Sequence, residues 1–153
     1  MIEDIYFEIV DGANIIKIEP LKWNYPDAEL DWDKNWIRSR ITVKGGAFSG
    51  QFYCDLMTTD FELFKRALNK TYNSLNQQAE FNTLESQIQI KIVGDGLGHF
   101  TVDCQVVDEV GIGNKLNVEM TFDQTQIPNF IRQLDKIVKQ FPIQGTELNL
   151  VNE

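Results

Sequence analysis

The feature that most constrains the fold of this chain is a strict alternation of apolar and polar residues, which recurs in several short segments. Successive side chains of a β-strand point to opposite faces of the sheet, so this alternation indicates a strand with one buried face. In the clearest segment one face carries Ile37, Ile41 and Val43. The other face carries Trp36, Arg38, Arg40 and Thr42. The pattern predicts a sheet with one buried and one solvent-facing side.

Six further segments alternate in the same way, and turn sequences such as Asp11-Gly12 and Gly45-Gly46 separate them. A short additional strand through Leu148 and Leu150 is expected in the tail. The residues that we expect to face inward in the six segments are Ile5, Phe7, Ile9, Ile16, Ile18, Phe52, Cys54, Leu56, Ile88, Ile90, Ile92, Phe100, Val102, Cys104, Val106, Leu116, Val118, Met120 and Phe122.

Two segments change to the period of an amphipathic helix. The first is expected to begin at Thr59, with Glu62 completing a capping box, and to end near Asn76. The second is expected to begin near Thr125 and to stop before Pro142. Its apolar stripe comprises Ile127, Phe130, Ile131, Leu134, Ile137, Val138 and Phe141.

These elements predict an α+β protein with the order ββββαβββα. Because each strand and each helix has one apolar side, we expect a single antiparallel sheet of about seven strands with two α-helices packed on one face. No change in composition divides the chain, so residues 1–153 are predicted to form a single domain. A chain of this length buries roughly 68–70% of the surface that its unfolded form exposes.

The charge of the chain restricts its partners. A net charge of −9 and a pI near 4.6 disfavour nucleic acid, because phosphate contacts need clustered Lys and Arg. No apolar run approaches the ~18 residues of a membrane span, and Met1-Ile2-Glu3-Asp4 does not resemble a secretory signal, so we expect a cytoplasmic protein without a membrane partner. The negative surface either binds a basic partner or only maintains solubility.

No cofactor or metal site is predicted. Cys54 and Cys104 lie fifty residues apart, and with His99 as the only histidine they cannot form a Cys/His zinc site. Residues 31–35 imitate the start of a calcium loop, but Trp36 occupies the position that needs glycine and Thr42 the position that needs glutamate. The glycines of residues 94–98 precede a strand, so they indicate a hairpin turn rather than a phosphate-binding loop.

Catalytic residues are not evident. His99 is the default acid–base candidate, but no serine or cysteine with a matching aspartate accompanies it in the sequence. Cys54 and Cys104 occupy the apolar phase of their strands, which predicts buried thiols rather than nucleophiles. We therefore predict that the protein is not an enzyme.

The candidate binding site is the loop that precedes Trp36. It concentrates four carboxylates against Lys34, and Trp32 with the adjoining Trp36 accounts for two of the three tryptophans of the chain. Aromatic and arginine side chains are typical of the residues that dominate protein interfaces. The alternative is that the tryptophans only anchor the loop to the sheet. The predicted partner-binding residues are Asp27, Glu29, Asp31, Trp32, Asp33, Trp36, Arg38 and Tyr53.

Five short motifs are spread over most of the chain. They are Asp31-Trp32-Asp33-x-Asn35-Trp36-Ile37, Gly50-x-Phe52, Thr59-x-Phe61, Gly98-His99 and Phe122-x-Gln124-Thr125. Their order resembles that of the WapI-type immunity proteins, a family of small bacterial proteins. The resemblance implies a protein that neutralises a co-encoded toxin whose C-terminal domain attacks RNA. It supplies no residue-level binding motif.

The sequence therefore favours an immunity-type binding protein that neutralises a cognate, basic nuclease toxin by protein–protein contact. A small hydrolase-like enzyme that uses His99 and a generic assembly subunit are the alternatives. A neighbouring reading frame that encodes a large secreted toxin would favour the first hypothesis, and a catalytic pocket around His99 would favour the second. The sequence leaves the identity of the toxin and the oligomeric state open.

Overall fold

The structure, a computed structural model, describes residues 4–145 of the chain. The strand expected at Leu148 and Leu150 lies outside the described residues. The helices are α1 (Thr58–Asn73) and α2 (Ile127–Gln140), and two short 3-10 helices span Asp31–Asn35 and Gln124–Gln126. The strands are β1 (Phe7–Asp11), β2 (Asn14–Trp23), β3 (Trp36–Gly45), β4 (Phe48–Met57), β5 (Gln78–Asn82), β6 (Ile88–Gly94), β7 (His99–Val107) and β8 (Lys115–Asp123).

The strands form two antiparallel four-stranded sheets, with the orders β1-β2-β3-β4 and β5-β6-β7-β8. The α+β class is confirmed, but the arrangement differs from the single sheet of about seven strands that we expected. The physical reason is that α1 follows β4 directly at Thr58, and the chain that leaves α1 pairs with β6 instead of with β4. Alternation identifies the buried face of a strand, but it does not identify the neighbouring strand.

The strand β5 was not predicted from the sequence. Only Ala79 and Phe81 of its five residues are apolar, so the alternation is too short to recognise. Both side chains are buried, and the Phe81 ring lies 5.5 Å from Phe61 and 5.2 Å from Phe64 of α1. The observed order is therefore ββββαββββα, in which each sheet is followed by one helix.

The first helix begins one residue before the expected capping box. Its N-cap is Met57, and the Met57 N–H donates to Oδ2 of Asp60 at 2.9 Å. Asp60 thus satisfies an otherwise unpaired backbone donor, which is the function that we had assigned to the pair Thr59 and Glu62. The expected stripe of α2 is buried at five of its seven positions, and the other two, Ile131 and Val138, are partly buried against the core.

A continuous hydrophobic core includes residues of both sheets and both helices. Phe7 of β1 lies 5.3 Å from Phe64 of α1 and 5.6 Å from Phe130 of α2, measured between ring centroids. Phe122 of β8 lies 5.0 Å from the same Phe130. The strand residues predicted to face inward are buried, except that Ile5, Phe52 and Leu116 are only partly buried.

The two sheets meet where the end of β3 lies against β8. A Cβ atom at Gly45 would lie 2.8 Å from Cγ2 of Val118, so this close approach requires glycine. A second link joins β1 to β8, because Oδ2 of Asp11 accepts the Thr121 N–H at 3.0 Å. Within residues 4–145, neither helix combines the length and the apolar character that a membrane span needs.

Candidate protein-binding surface

The segment between β2 and β3 forms a loop whose base is hydrogen-bonded to the first sheet. The Asn24 N–H donates to the Trp36 carbonyl at 2.9 Å, which joins the two ends of the loop. Nδ2 of Asn24 also donates to Oδ1 of Asp55 on β4 at 2.8 Å. The 3-10 helix Asp31–Asn35 then leads directly into β3. The position of the loop is therefore fixed by the strands on which it stands.

Asn35 is the internal anchor of the loop and is fully buried. Its Nδ2 donates to the carbonyls of Asp31 at 2.8 Å, Trp32 at 3.4 Å and Gln144 at 3.1 Å. Its Oδ1 accepts the Gln144 N–H at 2.7 Å. Gly145 continues this contact, since a Cβ atom there would lie 2.4 Å from Cβ of Asp31. A buried amide satisfied on both atoms thus holds the 3-10 helix against the segment that follows α2.

The three tryptophans differ in exposure. Trp23 is half-buried and meets Phe141 edge to face, with ring centroids 5.1 Å apart. Trp36 is half-buried at the start of β3, whereas Trp32 is 46% exposed. Because Asn35 and Trp23 make the anchoring contacts, the exposed ring of Trp32 is accessible to a partner.

The acidic residues of the loop differ in their surroundings. Oδ1 of Asp31 lies 3.0 Å from Nζ of Lys34, so this charge is partly neutralised within the loop. Asp27 and Glu29 are exposed, and Asp33 is half-buried. In the described part of the chain, no lysine or arginine lies within ion-pair distance of these last three carboxylates. The loop therefore presents uncompensated negative charge to solvent.

An open cavity of about 560 Å³ adjoins these groups, and its lining includes Tyr25, Asp27 and Asp33. Tyr25 is 49% exposed and Leu30 is 66% exposed. Neither was among the predicted site residues, although an aromatic residue directly before a proline in a loop between strands is a usable signal for a binding position. We call Tyr25, Asp27, Glu29, Leu30, Asp31, Trp32 and Asp33 the acidic loop surface.

Arg38 and Tyr53 lie on the outward face of the first sheet, at the border of the acidic loop surface. Nη1 of Arg38 lies 3.4 Å from Oδ1 of Asp55, the same oxygen that accepts from Asn24 in the loop. The guanidinium carbon of Arg38 lies 5.6 Å from the centroid of the Tyr53 ring. The structure therefore brings both residues next to the loop through Asp55.

His99 lies on the second sheet, at the start of β7. Its imidazole is exposed, and Nδ1 lies 3.0 Å from Oδ2 of Asp95. The Leu97 N–H donates to Oδ1 of Asp95 at 2.7 Å and is the main cause that lowers the pKa of this carboxyl. A cavity of about 610 Å³ beside His99 includes Asp11 and Asp123 in its lining. The described side-chain partner of His99 is thus a carboxylate in solvent, not a hydroxyl or thiol that it could activate.

Both cysteines are core residues, as predicted. Cys54 is 1% exposed and Cys104 is 0% exposed. Burial raises the pKa of each thiol to about 12. Because the thiolate is the reactive form, neither side chain is suited to nucleophilic chemistry at neutral pH.

The calcium-like spacing of residues 31–35 has a structural explanation. Asn35 uses both atoms of its amide in the hydrogen bonds that shape the loop, and Asp31 is paired with Lys34. Among residues 4–145, no group of three or more His, Cys, Asp and Glu side chains is arranged to hold a metal ion.

Comparison with known proteins yields a family match. The family model described as "Immunity protein WapI-like family" matches residues 7–142, a range that includes both sheets, both helices and the acidic loop surface. No curated protein matches the sequence. Among solved structures, MRP1/MRP2 of Trypanosoma bruciei is similar with 10% identity and a TM-score of 0.49, over 92% of this chain and 88% of that chain. The plant transcriptional regulator PBF-2 is similar with 13% identity and a TM-score of 0.46, over 92% of this chain and 83% of that chain.

Proposed function

The chain belongs to the WapI-like immunity protein family, and on this premise we propose that it neutralises a cognate protein toxin in the cytoplasm by direct contact. The toxin that best fits the charge of this protein is a basic nuclease. The observation that carries the proposal is the acidic loop surface, which combines uncompensated carboxylates with exposed aromatic and aliphatic side chains. No reaction by the protein itself is required.

Electrostatics explains why an acidic surface would suit a nuclease. An enzyme that binds RNA needs a positively charged active site, because its substrate is a chain of phosphates. An acidic surface is complementary to such a site and accelerates the encounter between the two proteins. Exposed ion pairs alone contribute little affinity, typically ~0–1 kcal/mol each. Apolar residues such as Tyr25, Leu30 and Trp32 would exclude water and provide the remaining affinity.

The anchoring of the loop also supports the proposal. A loop that becomes ordered only on binding loses conformational entropy at that moment, and this loss weakens the complex. Asn35 already fixes the backbone that carries Asp31 and Trp32. The surface is therefore prepared for rapid and tight binding, which suits a protein that must act before a toxin damages the cell.

The test measures binding to the toxin domain encoded by the neighbouring reading frame, at several salt concentrations. The double variant Asp27→Asn with Asp33→Asn is expected to associate more slowly than the wild type and with a weaker dependence on salt. The matched control is Asp103→Asn with Glu119→Gln, which changes the net charge equally but on the exposed face of the second sheet. An equal loss in the control would assign the effect to total charge rather than to the loop.

Trp32→Ala is expected to act mainly on the dissociation rate, because it removes apolar contact area and no charge. Tyr72→Ala is its control, since Tyr72 is 45% exposed on α1, outside the proposed surface. The proposal fails if the toxin domain does not bind the wild type. The choice of surface fails if a variant that combines Asp27→Asn, Asp33→Asn and Trp32→Ala binds with unchanged affinity.

A further inference from the structure

Each of the two sheets ends in two edge strands, whose outer backbone groups can pair with a further strand unless they are protected. Three of these edges are protected. Oε1 of Gln133 on α2 accepts the Glu8 N–H of β1 at 3.0 Å. Oδ2 of Asp11 accepts the Thr121 N–H of β8 at 3.0 Å. The third, β5, has only five residues and packs against α1.

The fourth edge, β4, lacks such protection from any of residues 4–145. It is ten residues long, and among the described strands it pairs with β3 alone. In the described part of the chain, no group outside β3 forms a hydrogen bond with the backbone of residues 48–56. Residues 45–54 are also the longest run of the sequence without a charged residue, and they contain no proline. Charge, proline and covering elements are the usual means of protecting an edge, and within the described part of the chain none of them protects residues 48–54.

The first half of β4 is exposed on both faces. Phe48 is 70% exposed, and Tyr53 on the outward face is 49% exposed. Phe52 has the inward phase but is only partly buried. An exposed edge with uncovered aromatic rings is suited to pairing with another strand.

We propose that this edge pairs antiparallel with the same edge of a second copy of the chain, which joins two first sheets across a two-fold axis near Gln51. In the register centred on Gln51, Phe52 lies opposite Gly50 of the partner subunit, and Asp55 lies opposite Ala47 of the partner subunit. Shifting the centre to Gly50 or Phe52 also leaves Asp55 opposite an uncharged residue. Asp55 therefore never lies opposite another carboxylate. In the register centred on Gln51, the ring of Phe52 also covers Gly50 of the partner subunit. Both features favour cross-strand pairing.

The charge of the chain favours a second copy at this place. Two molecules with a net charge of −9 repel each other, so they associate most easily where the surface carries no charge. The run from Gly45 to Cys54 meets this condition. In an antiparallel pair this run lies opposite the same run of the second copy, so no like charges meet within it. A two-fold interface uses the same patch on both subunits, which an antiparallel strand pair provides.

The proposed dimer would leave the acidic loop surface open. In the β3–β4 hairpin, Phe48 pairs with Gly45 at one end and Met57 pairs with Trp36 at the other. With a rise of ~3.3 Å per residue, these ends lie roughly 30 Å apart. The loop precedes Trp36, so it lies beyond the Met57 end of β4, six residues or roughly 20 Å from the proposed two-fold axis at Gln51. Dimer formation therefore does not depend on the function proposed above, and the two can fail separately.

Sedimentation equilibrium over a range of micromolar concentrations tests the proposal. The wild type is expected to form dimers, and Gln51→Lys is expected to raise the dissociation constant by about tenfold or more, because lysine on an edge strand opposes pairing. Thr42→Lys is the matched control. Thr42 lies opposite Gln51 on the interior strand β3, and its Oγ1 accepts from Nε2 of Gln51 at 3.0 Å. Both variants thus add the same charge and remove the same hydrogen bond, but only one alters the edge.

Hydrogen exchange of the wild type provides a second measurement that needs no variant. Those amides of residues 48–53 that do not already donate to β3 are expected to become more protected as the protein concentration rises, while the amides of β8 stay unchanged. A wild type that is monomeric at every concentration overturns the proposal. So does a dimer that Gln51→Lys weakens no more than Thr42→Lys, or one without concentration-dependent protection of residues 48–53.

Discussion

Asn35 has a larger influence on the shape of the candidate site than any of its acidic residues. Its amide connects the 3-10 helix to Gln144, so removing it would leave buried backbone groups without partners. We expect Asn35→Ala to lower the free energy of unfolding by about 1–3 kcal/mol, the usual cost of unsatisfied buried groups. It should also weaken toxin binding beyond this effect on stability, because the loop must then be ordered on binding.

Chemical denaturation of the variant, together with a binding assay, measures both effects. Asn117→Ala is the control, since Asn117 is an exposed amide on β8 and its loss should change stability by less than ~0.5 kcal/mol. A variant Asn35→Ala with wild-type stability and affinity would show that the anchor is dispensable.

At the residue level, the sequence indicates which side chains make up the candidate surface, but it does not show how that surface is held in place. The carboxylates and Trp32 could be recognised because they are close together in the sequence. The role of Asn35 could not, because its partner Gln144 lies 109 residues away and the contact exists only in the folded chain. Tyr25 and Leu30 were missed because single exposed apolar residues are common on protein surfaces.

At the level of elements, the phase of each long strand could be read from the sequence, since one buried face requires alternation. The short strand β5 could not, because its position depends on packing against α1 more than on its own pattern. The end of α1 shows the same limit of local patterns. Tyr72 follows Leu68 by four residues, the spacing of one helix face, but it is 45% exposed. The polar Thr71 is buried instead and donates to the Ala67 carbonyl at 2.9 Å.

The start of α1 leads to a prediction about pH. Burial raises the pKa of Asp60 to about 6, although its hydrogen bond from the Met57 N–H acts in the opposite direction. The folded pKa thus lies above that of the unfolded chain, so the folded state binds the proton more tightly. The contribution of Asp60 to stability is therefore complete at low pH and is lost as the pH rises through about 6.

Asp60→Asn should remove this dependence while its amide oxygen still accepts the Met57 N–H. The free energy of unfolding of the variant, relative to the wild type, is expected to increase by roughly 1–3 kcal/mol between pH 4 and pH 7. Denaturant titrations of both proteins at each pH measure this difference in the free energy of unfolding. The contributions of the other carboxylates are the same in both proteins and cancel. A difference that is constant with pH would mean that Asp60 is ionised in the fold as easily as in the unfolded chain.

At the level of the whole molecule, the structure repeats one arrangement, four strands followed by a helix, without a repeat in the sequence. Apart from β5, the strands that pair within each sheet follow one another along the chain, and these pairings could be predicted. The division into two sheets could not, because it depends on contacts between distant residues such as Gly45 with Val118 and Asp11 with Thr121. A pattern of buried faces is compatible with one sheet or two, and only the positions of the helices distinguish them.

The repeated arrangement raises the question of whether the two units unfold separately, and we propose that they unfold as one domain. The proposal rests on the shared core, in which Phe130 of α2 contacts Phe7 of β1 and Phe122 of β8. The chain offers one probe in each unit. All three tryptophans lie in the first unit, and in a Cys54→Ala variant the remaining thiol is Cys104 of the second sheet. Tryptophan fluorescence and the reactivity of Cys104 toward a thiol reagent should therefore change at the same denaturant concentration.

Leu134→Ala extends this test, because Leu134 is fully buried in α2 and belongs to the shared core. Its truncation should lower the free energy of unfolding by about 2–5 kcal/mol, the usual range for a core leucine. If the core couples the units, the unfolding midpoints reported by tryptophan fluorescence and by Cys104 reactivity must fall by the same amount, even though the tryptophans lie in the other unit. A shift of the Cys104 transition without a shift in fluorescence would show that the second unit unfolds on its own, and the proposal of a single domain would then be wrong.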